Sequence, residues 1–549
     1  MKRASPILFF AVLLFAAALL LHAAHSRVLV QAQPSRFLPK IVAASRPAAA
    51  ESNPLIKFAK VVTYPTTGYY AVSVAVRDLN GDGFPDLVVA NACQSGTGSN
   101  CTTGASLSVL LANGDGSFQP AVTYDSGGIA GSALAVADLN GDGSPDIVMA
   151  SQCLSPTDCG NGVIAVFLNN GDGSFQPPVV YVVGNGADGI AIADLNGDGI
   201  PDLAVADECQ SPTECNTGAV SILLGNGDGS FQAPVNYSSG ADNTSAVAIA
   251  DLTGNGIPDL VLTNQCQNKK SCDLGAFSVL RGNGDGTFRP AKVFSSGAYS
   301  AVSLALADLN GDGSPDLVIA NFCARSGHCG DGVLTVFLSE GNGFFGAPVS
   351  YDSGGYAATS VTVADVNGDG VLDLIAGNGC RKPGDCSSGN VAVLLGHGDG
   401  TFRAPVSFNS GGDDVTSVAI GDLNLDGRPD LVATNNCASA ASCSGEVAAF
   451  LNVTSDKTTL TISSSPNPST VGQSVTLTAV VTSSPPIPDG ENVMFYQGGN
   501  FLGSASTSNG SATFITTFSA PQTYVMKAAY PGDPFHKSAS KTMQQVVNP

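Results

Sequence analysis

Apolar and polar residues alternate with a period of two along most of this chain. "SLALAD" (Ser303–Asp308) and "SVTVAD" (Ser360–Asp365) alternate cleanly, and "DLVIAN" (Asp316–Asn321) is an apolar run with polar ends. "GVLTVFL" (Gly332–Leu338) follows a pair of cysteines, and "FFGAPVSY" (Phe344–Tyr351) follows a glycine turn. The stretches are short and no helical period of about 3.6 runs through them, so they read as β-strands.

The set recurs around an acidic nonapeptide, "DLNGDGSPD" in the copies at 138–146 and 308–316. Copies begin at Asp78, Asp138, Asp194, Asp251, Asp308, Asp365 and Asp422, in steps of 60, 56 and then 57 four times running. A fixed period of that length means stacked or ringed units. Four antiparallel strands repeated seven times predict a seven-bladed β-propeller over residues 57–453. Six copies carry a fourth strand of the type "SFQPAVTY" (Ser117–Tyr124), whereas the seventh stops after its third, "GEVAAFLN" (Gly445–Asn452). The missing strand stands at the other end as "KFAKVVTY" (Lys57–Tyr64). The expectation is a ring whose last blade is closed by this N-terminal strand, which removes an exposed sheet edge.

From Asp456 the pattern changes. Cysteines and acidic loops stop, and longer Thr/Ser/Val-rich strands such as "SVTLTAVVTS" and "TYVMKAAYPGD" predict an Ig-like β-sandwich over 456–549. The fold class expected is therefore all-β, a propeller followed by a sandwich. At the N-terminus, "MKR" precedes a 15-residue apolar run, Ile7–Leu21, and then small residues. This is the layout of an export signal over 1–32, cleaved somewhere in 24–32, with a linker over 33–56. The run is short for a membrane span of about 20 residues, and no later segment is long and apolar enough, so the mature chain is expected to be secreted or at the cell surface.

Charge narrows the partners. Lys and Arg number 23 against 45 Asp and Glu, a formal net charge of −22, which argues against nucleic acid and anionic membrane surfaces. The acids are not spread evenly: 20 of the 45 lie in the seven nonapeptides. Side-chain oxygens fall at positions 1, 3, 5 and 9, glycine at 4 and 6 allows a tight turn, and position 7 can add its main-chain carbonyl. Hard oxygen donors of this kind suit Ca²⁺. The predicted ligands are Asp78, Asn80, Asp82, Phe84 and Asp86, then Asp138, Asn140, Asp142, Ser144 and Asp146, then Asp194, Asn196, Asp198, Ile200 and Asp202. The fourth loop supplies Asp251, Thr253, Asn255, Ile257 and Asp259, and with only two carboxylates it should bind most weakly. The last three supply Asp308, Asn310, Asp312, Ser314 and Asp316; Asp365, Asn367, Asp369, Val371 and Asp373; and Asp422, Asn424, Asp426, Arg428 and Asp430. Up to seven Ca²⁺ are expected, one per blade. An EF-hand is excluded, because position 12 is Val89 or Met149 rather than Glu and strands flank the loop. Asx and glycine turns need no metal, but three carboxylates within nine residues repel one another unless a cation lies among them. A second motif, "NGDGSF" (Asn113–Phe118), has one Asp per copy and reads as a hairpin turn.

Fourteen cysteines form one pair per repeat: Cys93/Cys101, Cys153/Cys159, Cys209/Cys215, Cys266/Cys272, Cys323/Cys329, Cys380/Cys386 and Cys437/Cys443. In an exported chain this predicts seven local disulfides between second and third strands; zinc fits poorly, since no histidine accompanies the pairs. Strand direction puts acidic loops and NGDG turns at one end of the ring. Cysteine loops and blade connections then share the other end, and the varied residues between the cysteines are what a ligand-binding face would show, although drift at an idle surface would look similar.

The repeats resemble the FG-GAP/VCBS family, the integrin-α-type propeller, with "FFGAP" (Phe344–Pro348) nearly spelling the motif. The tail, from "SPNPSTVGQSVTLTA" on, resembles bacterial Ig-like modules. In the family, loop positions 1, 3, 5, 7 and 9 hold Ca²⁺, which the resemblance carries onto the residues named above. The paired cysteines depart from the family pattern. The resemblance implies adhesion, carbohydrate binding or assembly, so the expected role is an exported binding or adhesion module with a protein or carbohydrate ligand at the cysteine-loop face. A calcium-dependent lectin is the alternative; the chain has no Trp, and Tyr69, Tyr70, Tyr299 and Tyr356 are the aromatic substitutes in the blade connections. An enzyme is not expected: the five histidines are scattered, no nucleophile motif is present, and the loop acids are committed to metal.

Overall fold

The computed structural model describes residues 56–549 except 98–99, 102, 211–216, 269–273, 326–330, 382–385, 440–442, 455–457, 484–486, 488, 533–535 and 537. The predicted signal and nearly all of the predicted linker lie outside the described residues. Among the described residues every regular element is a strand, and no helix is long and apolar enough to cross a membrane.

The fifth repeat shows the blade. Its inner strand (Tyr299–Ala307), second strand (Asp316–Cys323), third strand (Val333–Phe337) and outer strand (Val349–Asp352) pair antiparallel in that order. The second strand is buried almost throughout because both its faces pack on neighbouring blades, which is why its sequence is an apolar run rather than an alternation. Four more repeats form separate four-stranded sheets of the same order. The remaining two are joined, because one 16-residue strand, Val62–Arg77, belongs to both. Its first part pairs with the third strand of the last repeat, Val62 with Ala449 and Pro65 with Glu446. Its second part is the inner strand of the first repeat, with Tyr69 opposite Cys93 and Arg77 opposite Asp86. The closing strand predicted from sequence is thus continuous with the strand that begins the ring. Each inner strand touches the next, and Asp413–Gly421 touches Val62–Arg77, so the circuit closes as a β-propeller of seven four-stranded units.

The core lies between blades. Leu309, Val318 and Val336 of the fifth repeat pack with Val361, Leu374 and Phe402 of the sixth, and equivalent clusters recur round the ring. Outer tyrosines reach the turn of the next blade. Tyr64–Phe118, Tyr124–Phe175, Tyr181–Phe231, Tyr237–Phe288 and Tyr351–Phe402 meet edge to face with centroids 5.3–5.9 Å apart, each contact contributing roughly 0.5–1.5 kcal/mol beyond its buried area. A leucine after the third strand also covers the next turn's second glycine: Leu111 over Gly173, Leu168 over Gly229, Leu224 over Gly286, Leu338 over Gly400 and Leu451 over Gly116. Those glycines have φ near +80°, and a Cβ there would meet the leucine.

Hydroxyls on the inner strands tie blades together. Ser132 donates to the Ala187 carbonyl (2.5 Å), Ser245 to Ala301 (2.9 Å), Thr359 to Val415 (2.7 Å) and Thr416 to Ala71 (2.8 Å). Three repeats lack the hydroxyl: the first and fifth have Val72 and Val302 there, and the third has a charged group. That group is Asp188, accepting from Gln152 Nε2 at 2.8 Å. Burial first, then the Glu208 charge, hold the Asp188 carboxyl well above the usual range, and burial pushes Glu208 up to about 7. Next to it, Asp207 stands where five repeats have Asn91, Asn264, Asn321, Asn378 and Asn435. It is fully buried, accepts from Ser221 Oγ at 2.6 Å, and is held well above the carboxylate range by burial.

An acid raised in the folded state keeps its proton while the unfolded chain loses it. The stabilisation is full below the unfolded value of about 4 and is lost as pH rises through the folded value. Asp207→Asn should therefore leave Tm at pH 4 to 5 nearly unchanged and raise it by a few degrees at pH 8. Thermal melts across pH 4–8 check this, and parallel curves for both proteins would refute it.

In the tail, a three-stranded sheet (Thr459–Ser465, Ser474–Thr482, Ser511–Thr517) faces a five-stranded one. Val475 and Leu477 of the first pack with Phe495, Met526 and Tyr530 of the second, as in a β-sandwich.

Candidate functional site

The acidic loops connect inner and second strands, and the fifth is representative. Asp308 Oδ1 accepts from the Gly311 amide (2.8 Å) and Asp312 amide (3.1 Å), and Oδ2 accepts from Gly313 (2.8 Å). Asn310 accepts from the Asp312 amide and donates to Asp312 Oδ2, both at 2.9 Å. Asp312 Oδ1 accepts from the Ser314 amide at 2.8 Å. Gly311 and Gly313 have φ of 75° and 85°, and the space where their Cβ atoms would stand is open. Positions 1, 3 and 5 thus satisfy the loop's own amides, and among the described residues no three acidic, His or Cys side chains already stand together as a metal cluster.

Position 9 is different. Asp316 is fully buried, its Oδ2 accepting from the Leu309 amide (2.9 Å) and its Oδ1 from Ser339 (2.7 Å), where the third strand ends. Asp86, Asp146, Asp202, Asp259, Asp373 and Asp430 make the same two bonds in their repeats. The carboxylate staples the acidic loop to the NGDG turn at the same end of the blade, a role the loop sequence alone does not reveal.

The electrostatics show convergence. Burial raises the Asp316 carboxyl, and the charges on Asp312 and Asp308 raise it further against its two amide donors. Asp373 and Asp430 are pushed up to about 7 by burial with the same help from positions 5 and 1. Asp312 is held below the usual range by the Ser314 amide and Asn310. Each loop therefore gathers negative charge on oxygen donors that retain unused lone pairs. That donor set fits a hard cation. The sixth copy, for example, would hold one through Asp365, Asn367, Asp369, Asp373 and the Val371 carbonyl.

Two loops depart. In the fourth, Asp251 accepts from Gly256 (2.6 Å) and Asn255 (3.1 Å), and Asp259 has only Asp251 as a like-charged neighbour while Arg281 lowers it. In the seventh, Leu425 takes the glycine's left-handed conformation at φ 54° and is half exposed. Arg428 is buried, and its amide donates to Asp426 Oδ1 at 3.0 Å.

The opposite end carries the cysteines. Cys153–Cys159, Cys380–Cys386 and Cys437–Cys443 are bridged, with Cα atoms 4.2, 4.2 and 4.0 Å apart, and Cys93, Cys209, Cys266 and Cys323 are disulfide-bonded too. Cys215, Cys272, Cys329 and the side chain of Cys101 lie outside the described residues, as do most of the varied cysteine-loop residues and His328. Tyr69, Tyr299 and Tyr356 share one register position, opposite Cys93, Cys323 and Cys380. The NGDG turns are hairpin turns as expected: Asn170 donates its amide to the Ser174 carbonyl, and Asp172 accepts from both the amide and hydroxyl of Ser174.

A family model for the FG-GAP-like repeat matches residues 78–149, 153–205, 210–262, 271–319, 322–376 and 384–433, well over half of the chain. The chain belongs to the FG-GAP-like repeat family. The six matched spans contain all seven acidic loops, and the tail matches the bacterial Ig-like domain (group 3) over residues 460–548. Among curated proteins, this FG-GAP chain is similar to integrin alpha pat-2 of Caenorhabditis elegans and of Caenorhabditis briggsae. Each is 28% identical over 220 residues, which is 35% of this chain and only 17% of the relative. Among solved structures, BBS1N in complex with ARL6DN aligns with a TM-score of 0.44 at 13% identity, covering 72% of this chain and 97% of that one. The extracellular domain of a putative one component system from B. thetaiotaomicron aligns with a TM-score of 0.37 at 9% identity, covering 90% and 58%.

Proposed function

We propose that this FG-GAP protein is an exported, calcium-loaded β-propeller that serves as a binding or adhesion module at or outside the cell surface, without catalytic activity. The observation that carries it is the sevenfold set of oxygen-lined loops, in which Asp86, Asp146, Asp202, Asp259, Asp316, Asp373 and Asp430 are raised by burial first and then by the carboxylates beside them. Bound there, Ca²⁺ supplies the positive charge those groups lack. The disulfides support an oxidising compartment, and the integrin-alpha similarity supports a binding role.

Calorimetric titration of chelator-treated protein should resolve six tighter sites and one weaker by about tenfold or more, because affinity follows the carboxylate count. Thr253→Asn with Asn255→Asp should bring the weak site level with the others. Seven equal sites in the parent, or no heat at all, would refute the assignment of the fourth loop.

A calcium-dependent lectin is the second reading. Tyr69, Tyr299 and Tyr356 favour it, since among the described residues their rings have no aromatic contact and their hydroxyls no hydrogen bond, unlike the tyrosines between blades. A glycan array probed with oxidised protein in calcium and in EDTA decides. Calcium-dependent sugar hits would establish the lectin, whereas a silent array with calcium-dependent capture of a surface protein would establish the adhesion module.

A further inference from the structure

The seven repeats serve as one another's controls, and besides its acidic loop the fourth departs from the rest at a second place, the outer edge of its blade. Its counterpart of Leu111, Leu168 and Leu338 is Arg281, and its counterpart of the exposed outer-strand valines Val122, Val235 and Val349 is Lys292. Both side chains converge on Phe344 in the next blade's turn, where other repeats have Ser117, Ser174 or Thr401. The Arg281 guanidinium lies 5.4 Å and the Lys292 ammonium 4.6 Å from the Phe344 ring centre. Arg281 also donates to the Asn342 carbonyl, and Asn342 itself replaces the usual Asp of the turn. Phe344 remains 38% exposed. Arg289 adds a third exposed cation, steadied by its Nε bond to Asn283 Oδ1 at 3.3 Å.

Charge isolates the same blade. Residues 251–307 hold five basic and four acidic residues, a net +1, whereas every other repeat is net negative. Lys292 begins the outer strand Lys292–Ser295, which pairs only with Ala276–Leu280 and leaves its other edge without a strand partner among the described residues. A lysine on a free edge can simply guard against unwanted pairing. That accounts for Lys292 alone, not for Arg281, Phe344 and Asn342 changing with it. The cation–π contacts hold the two long side chains extended before any partner arrives.

We propose that the outer edge of the fourth blade, flanked by Arg281, Arg289, Lys292 and Phe344, is a docking site for an acidic peptide segment that adds to Lys292–Ser295 as a further strand. The free backbone edge supplies main-chain hydrogen bonds, and the cluster of cations selects against the other edges, which offer the same backbone with fewer cations, such as Arg403 alone in the sixth repeat, and with no counterpart of Arg281 or Lys292. The site lies on the rim of the ring and is independent of any ligand at the cysteine-loop end, so failure of the calcium or lectin readings leaves it standing.

The test is fluorescence polarisation of the whole chain with a labelled 12-residue Asp/Glu-rich peptide at low and at physiological salt. Controls are the matched Asn/Gln peptide, the acidic peptide N-methylated at alternate residues, and polygalacturonate as competitor. Saturable binding is expected for the acidic peptide only, falling at least tenfold in Arg281→Leu/Lys292→Val/Phe344→Ser. That variant writes the consensus of the other repeats into this one, and its melt verifies folding; the exposed single substitution Lys292→Val serves if it does not fold. Equal binding of the N-methylated peptide, unchanged affinity in the variants, or no binding overturns the proposal. Displacement by polygalacturonate with undiminished N-methylated binding would assign the patch to acidic polysaccharide instead.

Discussion

Calcium added to chelator-treated, oxidised protein is expected to raise the unfolding temperature of the propeller by roughly 15 °C or more. Each ion that binds only the folded loop stabilises by about 2.7 kcal/mol at a concentration 100 times its Kd. Sites distributed one per blade act on the same cooperative ring, so their contributions accumulate while the cost of crowding three carboxylates is removed at each. The loops already hold their turns through Asx-type bonds such as Gly311 and Gly313 to Asp308, so calcium acts on charge more than on loop shape. Far-UV circular dichroism should therefore change little on chelation while the melt shifts strongly. Differential scanning calorimetry in 2 mM calcium and in EDTA measures it, with magnesium as the control ion. A melt indifferent to calcium would return the loops to plain turns.

Removing residues 1–65 opens the ring. That segment contributes Val62–Pro65 to the last blade, the Phe58–Asn452 bridge, and the Ala59 amide bond to the Leu451 carbonyl at 2.8 Å. Ile56 is buried, Phe58 meets Phe408 edge to face at 4.9 Å, and Tyr64 meets Phe118 at 5.3 Å. Losing three such side chains costs about 1.5–3 kcal/mol each in apolar burial alone, and it bares the edge of Ser444–Phe450 to pairing with other chains. The truncated protein should melt at least about 10 °C lower and elute partly as oligomers in size-exclusion chromatography. A synthetic peptide of residues 54–68 should restore the monomer and most of the lost stability. A truncated chain that stays monomeric with an unchanged melt would mean the ring does not depend on this closure.

The propeller was legible because the acidic nonapeptide and the first cysteine recur in fixed register, so each repeat confirms the others. The closing strand was legible from the lone fourth strand at Lys57–Tyr64, though not its continuity into Val62–Arg77. What the sequence hid is what depends on neighbours in space. Asp316 reads as a ligand along the chain, and only the fold shows that its carboxylate also holds Leu309 and Ser339. The left-handed residues that begin the inner strands, Tyr70, Ala130, Asn243, Ser300, Ala357 and Asp414, comprise five residue types and so leave no signal. Asp188, Asp207, Arg281 and Phe344 belong to no motif along the chain, because their partners each come from an adjoining strand or blade.

The chain enters and leaves the ring at one clasp. Val453 donates its amide to the Lys57 carbonyl at 2.8 Å, and the Lys57 amide donates to Thr454 Oγ1 at 2.9 Å. Tension applied between the two ends would pass through that joint, the Phe58–Asn452 and Ala59–Leu451 links, and the short Val62–Pro65 pairing. The other blades would carry none of the load, so the ring would yield at its clasp before any acidic loop or disulfide felt the pull.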